Sequence, residues 1–122
     1  MFTKANQRRF EMFARRRDNS YARFKANIKP YFQLNQSFER REVINWTNRK
    51  TIEFRLPKGT LKTSAVIATI QFWHAVCDFT STSPASTLPS MNKGWTEFVL
   101  YVTENTKKYP HLMEYMQARG VA

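Results

Sequence analysis

The alternation of side chains across residues 51–56 constrains the fold of this chain most strongly. Glu53 and Arg55 alternate with the apolar residues Ile52, Phe54 and Leu56. Successive side chains of a strand point to opposite faces, so this segment is predicted to be a strand with Glu53 and Arg55 on one face. Residues 43–47 are also β-branched and aromatic, and a short polar segment joins the two runs. The pattern predicts an antiparallel hairpin.

Helical patterns precede this hairpin. Three apolar residues at helical spacing predict a helix that begins at an N-cap on Thr3 and ends at about Arg17. Its buried residues are expected to be Phe10, Phe13 and Ala14. The polar residues 18–20 are predicted to cap a short second helix that ends at Phe24.

Longer helical patterns follow the hairpin. The longest helix is predicted over residues 63–79, and residues 95–108 and 110–119 predict two more. The buried stripe of the longest helix is expected to contain Val66, Ile70, Trp73, Val76 and Cys77. The apolar faces of the last two helices are expected to contain Phe98, Tyr101, Val102, Leu112, Met113 and Met116. The predicted fold class is therefore α+β, a small antiparallel hairpin or sheet packed against three to five helices in a single domain.

Three segments of the chain carry a resemblance to a known family. Residues 48–61 resemble the "T-x-E-x-R, then G-T-L" run of the glutamine synthetase-like carboxylate-amine ligases, most closely the phage and fungal amidoligases. Residues 15–24 are similar to the amidoligase segment that precedes this strand, and residues 65–72 are similar to the helix that follows it. The resemblance covers roughly residues 10–80, in family order.

This resemblance implies a truncated, C-terminal part of an amidoligase. In that family the acid equivalent to Glu53 binds a metal ion, and the arginine equivalent to Arg55 contacts the phosphate or carboxylate being activated. The family's Glu-x-Glu strand and basic ATP-phosphate site have no counterpart in the sequence. We therefore expect Glu53 and Arg55 to be vestigial, with no catalytic residue, metal ion or cofactor. The alternative is a partial ATP-dependent amide-bond ligase that needs a partner subunit to complete a magnesium site.

The same resemblance sets the expected domain organisation. Residues 1–80 would form the amidoligase-like core, which contains the basic half of the chain. Residues 81–94 are rich in Ser, Thr and Pro and are predicted to be a loop. Residues 95–122 would form a helical segment packed on the same core.

The net charge of +11 is concentrated in the first half of the chain. Residues 1–62 hold sixteen Lys and Arg against five Asp and Glu, whereas residues 63–122 hold four against four. Such asymmetry is typical of a surface that binds phosphates or an acidic protein. The alternative is a basic face that is merely solvated.

Arginines near the ends of predicted elements are the candidate binding residues, because a guanidinium presents a planar fork of donors to phosphate or carboxylate. They are Arg8, Arg9, Arg15, Arg16, Arg17, Arg40 and Arg41. With the aromatic residues between them, they favour a non-catalytic binding module for nucleic acid, a ribonucleoprotein or an acidic protein. The phage branch of the resemblance extends this hypothesis to a phage-encoded inhibitor of a host defence system, of the anti-CRISPR type.

Neither membrane insertion nor secretion is indicated by the sequence. No apolar run approaches the ~20 residues of a membrane span, and no signal-peptide apolar segment follows the basic N-terminal residues. Cys77 is the only cysteine, which fits the cytoplasm, that of the host cell if the protein is phage-encoded. Cys77 is predicted to be a packed thiol, and His74 to be a partly buried packing residue.

Overall fold

The computed structural model describes residues 4–17, 19, 21–23, 43–45, 50–82 and 94–122. The elements in this part of the chain are α1 (Lys4–Ala14), β1 (Ile44–Asn45), β2 (Glu53–Phe54), α2 (Thr63–Thr82), α3 (Gly94–Glu104) and α4 (Leu112–Ala118). Four helices and a two-stranded antiparallel sheet confirm the predicted α+β class. The internal contacts divide the chain into an N-terminal unit, Phe2–Lys58, and a C-terminal unit, Gly59–Ala122. This boundary places α2 in the same unit as α3 and α4. The sequence analysis had assigned the α2 segment to a core over residues 1–80.

Helix α1 of the N-terminal unit buries Phe10, Phe13 and Ala14, as the apolar spacing predicted. The helix ends at Ala14 and not at Arg17, because Arg15 adopts a left-handed backbone conformation with φ of 57°. The Arg15 N–H then donates to the carbonyl of Met12, and the N–H of Arg16 donates to that of Glu11. These bonds satisfy two of the carbonyls that a helix end leaves exposed. The expected N-cap, Thr3, lies outside the described residues.

Arg15 ties the end of α1 to the segment that follows β2. Its guanidinium donates to the carbonyl oxygen of Lys58 over 2.9 Å. The Lys58 N–H donates in turn to the carbonyl of Ala14 over 3.0 Å. A left-handed conformation costs a non-glycine residue roughly 1–2 kcal/mol, and these two bonds offset that cost. Arg15 is therefore a structural residue of the N-terminal unit.

The predicted short helix after α1 is wrong, because the described residues there form a tight turn. Asn19 and Ala22 exchange two backbone hydrogen bonds of 3.4 and 3.1 Å. The Asn19 side-chain oxygen accepts the N–H of Tyr21, and its side-chain nitrogen donates to the carbonyl of Arg17. Asparagine competes with helix formation in this way, by bonding the backbone close to it in sequence.

The predicted antiparallel pairing is present, and its second strand is shorter than the predicted residues 51–56. Strands β1 and β2 pair Ile44 with Phe54 and Asn45 with Glu53. The ladder extends beyond the strands, because the N–H of Arg55 donates to the carbonyl of Val43 over 2.9 Å. The N–H of Val43 donates to the carbonyl of Arg23, so this residue links the turn after α1 to the hairpin. Residues 46 and 47 of the predicted first strand lie outside the described residues.

In the C-terminal unit α2 packs against α3 and α4, and α3 also contacts α4. The ring of Phe72 on α2 lies 5.5 Å from that of Phe98 and 6.3 Å from that of Trp95, both on α3. The fully buried side chains of this unit include Phe72, Phe98, Val102, Tyr109, Leu112 and Met116. The predicted apolar faces of α3 and α4 are thus confirmed at Phe98, Val102, Leu112 and Met116. Helix α3 ends at Glu104, four residues earlier than predicted.

The predicted buried stripe of α2 is wrong at three of its five positions. Val66 and Ile70 are 41% and 65% exposed, and Cys77 is also exposed. The buried face contains Ala65, Ala68, Phe72, Trp73, Ala75 and Val76. Because α2 is apolar on nearly all sides, its periodicity did not distinguish the two faces. Its alanines lie on the buried face, where small side chains allow neighbouring helices to approach closely.

Candidate nucleic-acid interface

The excess positive charge of the protein lies in the N-terminal unit. Residues 2–58 hold fifteen Lys and Arg against five Asp and Glu, a net charge of +10. Residues 59–122 hold five against four, a net charge of +1. The charge asymmetry of the sequence therefore follows the boundary between the two compact units, which makes the N-terminal unit the candidate interface.

The structure separates the predicted arginines by exposure. Arg8 and Arg9 lie on the solvent side of α1, and Arg17 is exposed beyond its end. Arg15 and Arg16 are half-buried, and the Arg15 guanidinium is engaged with Lys58. Arg40 and Arg41 lie outside the described residues. Among the described residues of this unit, the exposed basic side chains outside the predicted set are Arg23, Lys50 and Lys58.

The acidic residues described in the N-terminal unit, Glu11 and Glu53, both lie beside an arginine. Arg8 Nη1 is 4.0 Å from Glu11 Oε2, and Arg55 Nε is 3.8 Å from Glu53 Oε1. Glu11 also accepts a hydrogen bond of 2.8 Å from Gln7. These carboxylates are partly neutralised, so they repel an approaching anion less than isolated carboxylates would.

Glu53 of β2 and Arg55, which directly follows the strand, lie on one face, which confirms the alternation inferred from the sequence. Their side chains are 47% and 28% exposed, so the ion pair lies at a partly solvated edge. Glu53 Oε2 also accepts a hydrogen bond of 2.7 Å from the side chain of Asn45, its cross-strand partner on β1. Asn45 is only 1% exposed, and the sequence analysis missed it. The signal that could have identified Asn45 is a single amide side chain among β-branched and aromatic residues. The Glu53 carboxylate is thus a structural partner of a buried amide.

A second polar cluster joins α2 to the segment between α3 and α4 in the C-terminal unit. Asp78 Oδ2 accepts a hydrogen bond of 2.6 Å from the Tyr109 hydroxyl and a second one from Lys108 Nζ. The hydrogen bond from Lys108, then that from Tyr109, holds the pKa of Asp78 below its usual value. Asp78 in turn raises the pKa of Lys108. Desolvation and then the bond to Asp78 raise the pKa of Tyr109.

His74 and Cys77 lie beside this cluster, and both differ from the sequence-based expectation. His74 is exposed, with its Nε2 3.7 Å from Asp78 Oδ2 and its ring edge against Tyr109. Cys77 is an exposed thiol and not a packed one. Partial desolvation, then the charge of Asp78, raises the pKa of this thiol, so it stays protonated at neutral pH. Among the described residues, no three His, Cys, Asp or Glu side chains are grouped as metal ligands.

Asp78→Asn is expected to remove part of the acid sensitivity of the C-terminal unit. Because the pKa of Asp78 is lowered in the folded state, the carboxylate stabilises the fold above its unfolded pKa of about 3.9. That stabilisation is lost as the pH falls through the lower folded value. Urea midpoints should therefore differ between the wild type and Asp78→Asn near neutral pH and converge as the pH falls below the lowered pKa of Asp78. Lys108→Met should reproduce the effect, and a difference that stays constant with pH would contradict this assignment.

Two further findings concern membrane spans and family membership. No helix in the described part of the chain is long and apolar enough to cross a bilayer. The resemblance to amidoligases stays a prediction drawn from three short segments. No protein-family model, curated protein or solved structure matches this chain.

Proposed function

We propose that the N-terminal unit is a non-catalytic module that binds the phosphate backbone of a nucleic acid in the cytoplasm. The observation that carries this proposal is the confinement of the excess charge to one compact unit, where the net charge is +10. A charge of this density attracts a polyanion and releases its condensed counterions on binding. The nearly neutral C-terminal unit serves as an internal control for every test.

The exposed side chains on and beyond α1 support a backbone contact. Arg8, Arg9 and Arg17 are accessible to a ligand, and Glu11, the acidic residue of α1, is already paired with Arg8 and Gln7. Arg15 positions the end of α1 against Lys58 and so supports the surface indirectly. An accessible guanidinium group is planar and can donate two parallel hydrogen bonds to two oxygens of one phosphate.

The high arginine content suits an oxyanion ligand, because the guanidinium fork binds phosphate or carboxylate. Ten of the fifteen basic residues in residues 2–58 are arginine, which binds phosphate through two parallel hydrogen bonds where lysine acts as a point charge. Binding to an acidic protein is a separate hypothesis. It would be supported if this chain bound an acidic protein and had no affinity for nucleic acid.

The test is a salt titration of nucleic-acid binding with the full-length protein. The logarithm of the binding constant is expected to fall linearly with the logarithm of the salt concentration, by about 0.7–0.9 per phosphate neutralised. In the double variant Arg8→Gln/Arg17→Gln the slope should become shallower by about 1.4–1.8, because two phosphate contacts are lost. These two positions are chosen because both side chains are exposed.

The matched control is Lys62→Gln/Lys107→Gln, which removes two exposed charges from the C-terminal unit. This variant should keep the wild-type slope. If the salt slope becomes shallower by the same amount in both double variants, binding responds to total charge, and the assignment of the interface to the N-terminal unit is wrong. If the wild type does not bind single-stranded or duplex nucleic acid at about 50 mM salt, the proposed function is wrong as a whole.

A further inference from the structure

We propose that the N-terminal unit takes single-stranded nucleic acid, with the ring of Tyr21 stacked on one of its bases. This inference rests on the proposed function and adds the class of nucleic acid that is bound. Tyr21 is 62% exposed, at a turn within the basic unit. Exposed aromatic rings beside cationic side chains are the usual stacking platforms of single-strand binding proteins.

The backbone that carries Tyr21 is held by local hydrogen bonds. Asn19 and Ala22 close the turn with two backbone bonds, and the Asn19 side-chain oxygen accepts the Tyr21 N–H over 2.9 Å. The other end of that amide donates to the Arg17 carbonyl over 3.0 Å. The backbone of Tyr21 is therefore held in place before a ligand arrives. A tyrosine ring has only two side-chain torsions to order, so stacking on it loses little conformational entropy.

Exposed arginines flank the ring of Tyr21 in sequence. Ala22 is fully buried, whereas its neighbours Tyr21 and Arg23 are both exposed. Arg17 precedes the turn in sequence, and its side chain is also exposed. Its carbonyl accepts a hydrogen bond from the Asn19 side chain. An aromatic ring is thus preceded and followed by arginines that suit the phosphates of a strand.

A duplex does not present a free base face to the Tyr21 ring. Bases in a double helix already stack on each other, and a protein ring can reach a base face only after unstacking or unpairing it. A single strand presents its base faces directly, and stacking on an aromatic ring tolerates any sequence. RNA and DNA single strands share this chemistry, so both are arms of the test.

The experiment measures the affinity of the full-length protein for oligouridylate, oligothymidylate and a duplex, each about 12 nucleotides long. Tyr21→Ala should weaken binding to at least one single strand by about 5- to 150-fold, which corresponds to the loss of one stacked base. It should leave the salt slope and the affinity for the duplex unchanged. Tyr21→Phe should stay within about threefold of wild type, because the ring is retained.

Leu100→Ala is the matched control, since it removes an exposed apolar side chain of similar exposure, 57%, from the C-terminal unit. Wild-type affinity for both single strands in Tyr21→Ala would overturn the stacking proposal, and so would a preference for the duplex. If Tyr21→Ala is unchanged while Arg8→Gln/Arg17→Gln loses slope, phosphate binding stands and stacking is wrong. If no probe binds, the proposed function fails together with this inference.

Discussion

Trp95→Ala is expected to lower the free energy of unfolding of the C-terminal unit by about 3–5 kcal/mol. The side chain is 3% exposed, and its ring lies 5.9 Å from that of Phe98 and 6.3 Å from that of Phe72. Its Nε1 also donates a hydrogen bond of 2.7 Å to the carbonyl of Val121, near the C-terminus. The substitution therefore opens a cavity between α2 and α3 and leaves a buried carbonyl without its donor.

Urea denaturation of the full chain, followed by circular dichroism, measures this loss. Trp95→Phe separates the two contributions, because it keeps most of the packing and removes the bond to Val121. It should cost about 1–3 kcal/mol. Leu100→Ala on the exposed side of α3 should stay within about 0.5 kcal/mol of the wild type. Equal losses for Trp95→Ala and Leu100→Ala would contradict the packing described for this unit.

Asn45→Asp is expected to destabilise the N-terminal unit by about 3–5 kcal/mol at neutral pH. The Asn45 side chain is buried and donates to Glu53 Oε2 over 2.7 Å. An aspartate at this buried position replaces the donor with a second carboxylate, so a buried charge meets a like charge at hydrogen-bonding distance. The damage should diminish as the pH falls below about 5, because a protonated aspartic acid can donate to Glu53.

The double variant Asn45→Asp/Glu53→Gln is the control for this prediction. It exchanges the amide and the carboxylate between the two strands and restores a donor opposite an acceptor. Most of the lost stability should return, as measured by hydrogen exchange of the amides of the hairpin. If the double variant is as unstable as Asn45→Asp, the contact between Asn45 and Glu53 does not account for the loss.

Much of the fold could be predicted because its signals are local. The apolar spacing of Phe10, Phe13 and Ala14 specified the buried face of α1, since residues three and four apart lie on one side of a helix. The alternation at Glu53 and Arg55 specified that these side chains share a face, because a strand repeats every two residues. Both inferences needed only the geometry of a single element.

The misses have a different physical origin. Val66 and Ile70 fit a helical stripe as well as Ala65 and Ala68 do, and only contact with α3 and α4 decides which side of α2 is buried. The end of α1 depends on Arg15, whose left-handed conformation is supported by Lys58, forty-three residues further along the chain. Local propensity carries no information about such a partner.

The candidate site divides in the same way. The sequence by itself determined the charge asymmetry and the identity of the arginines, because charge is a property of composition and needs no packing. Only the tertiary structure decided which of these arginines are accessible: Arg8, Arg9 and Arg17 are exposed, whereas Arg15 is engaged with Lys58. The tertiary structure also leaves the Tyr21 side chain exposed at a turn and places Asn45 beside Glu53. Accessibility and cross-strand contact depend on residues distant in sequence, whose separations are set when the chain folds.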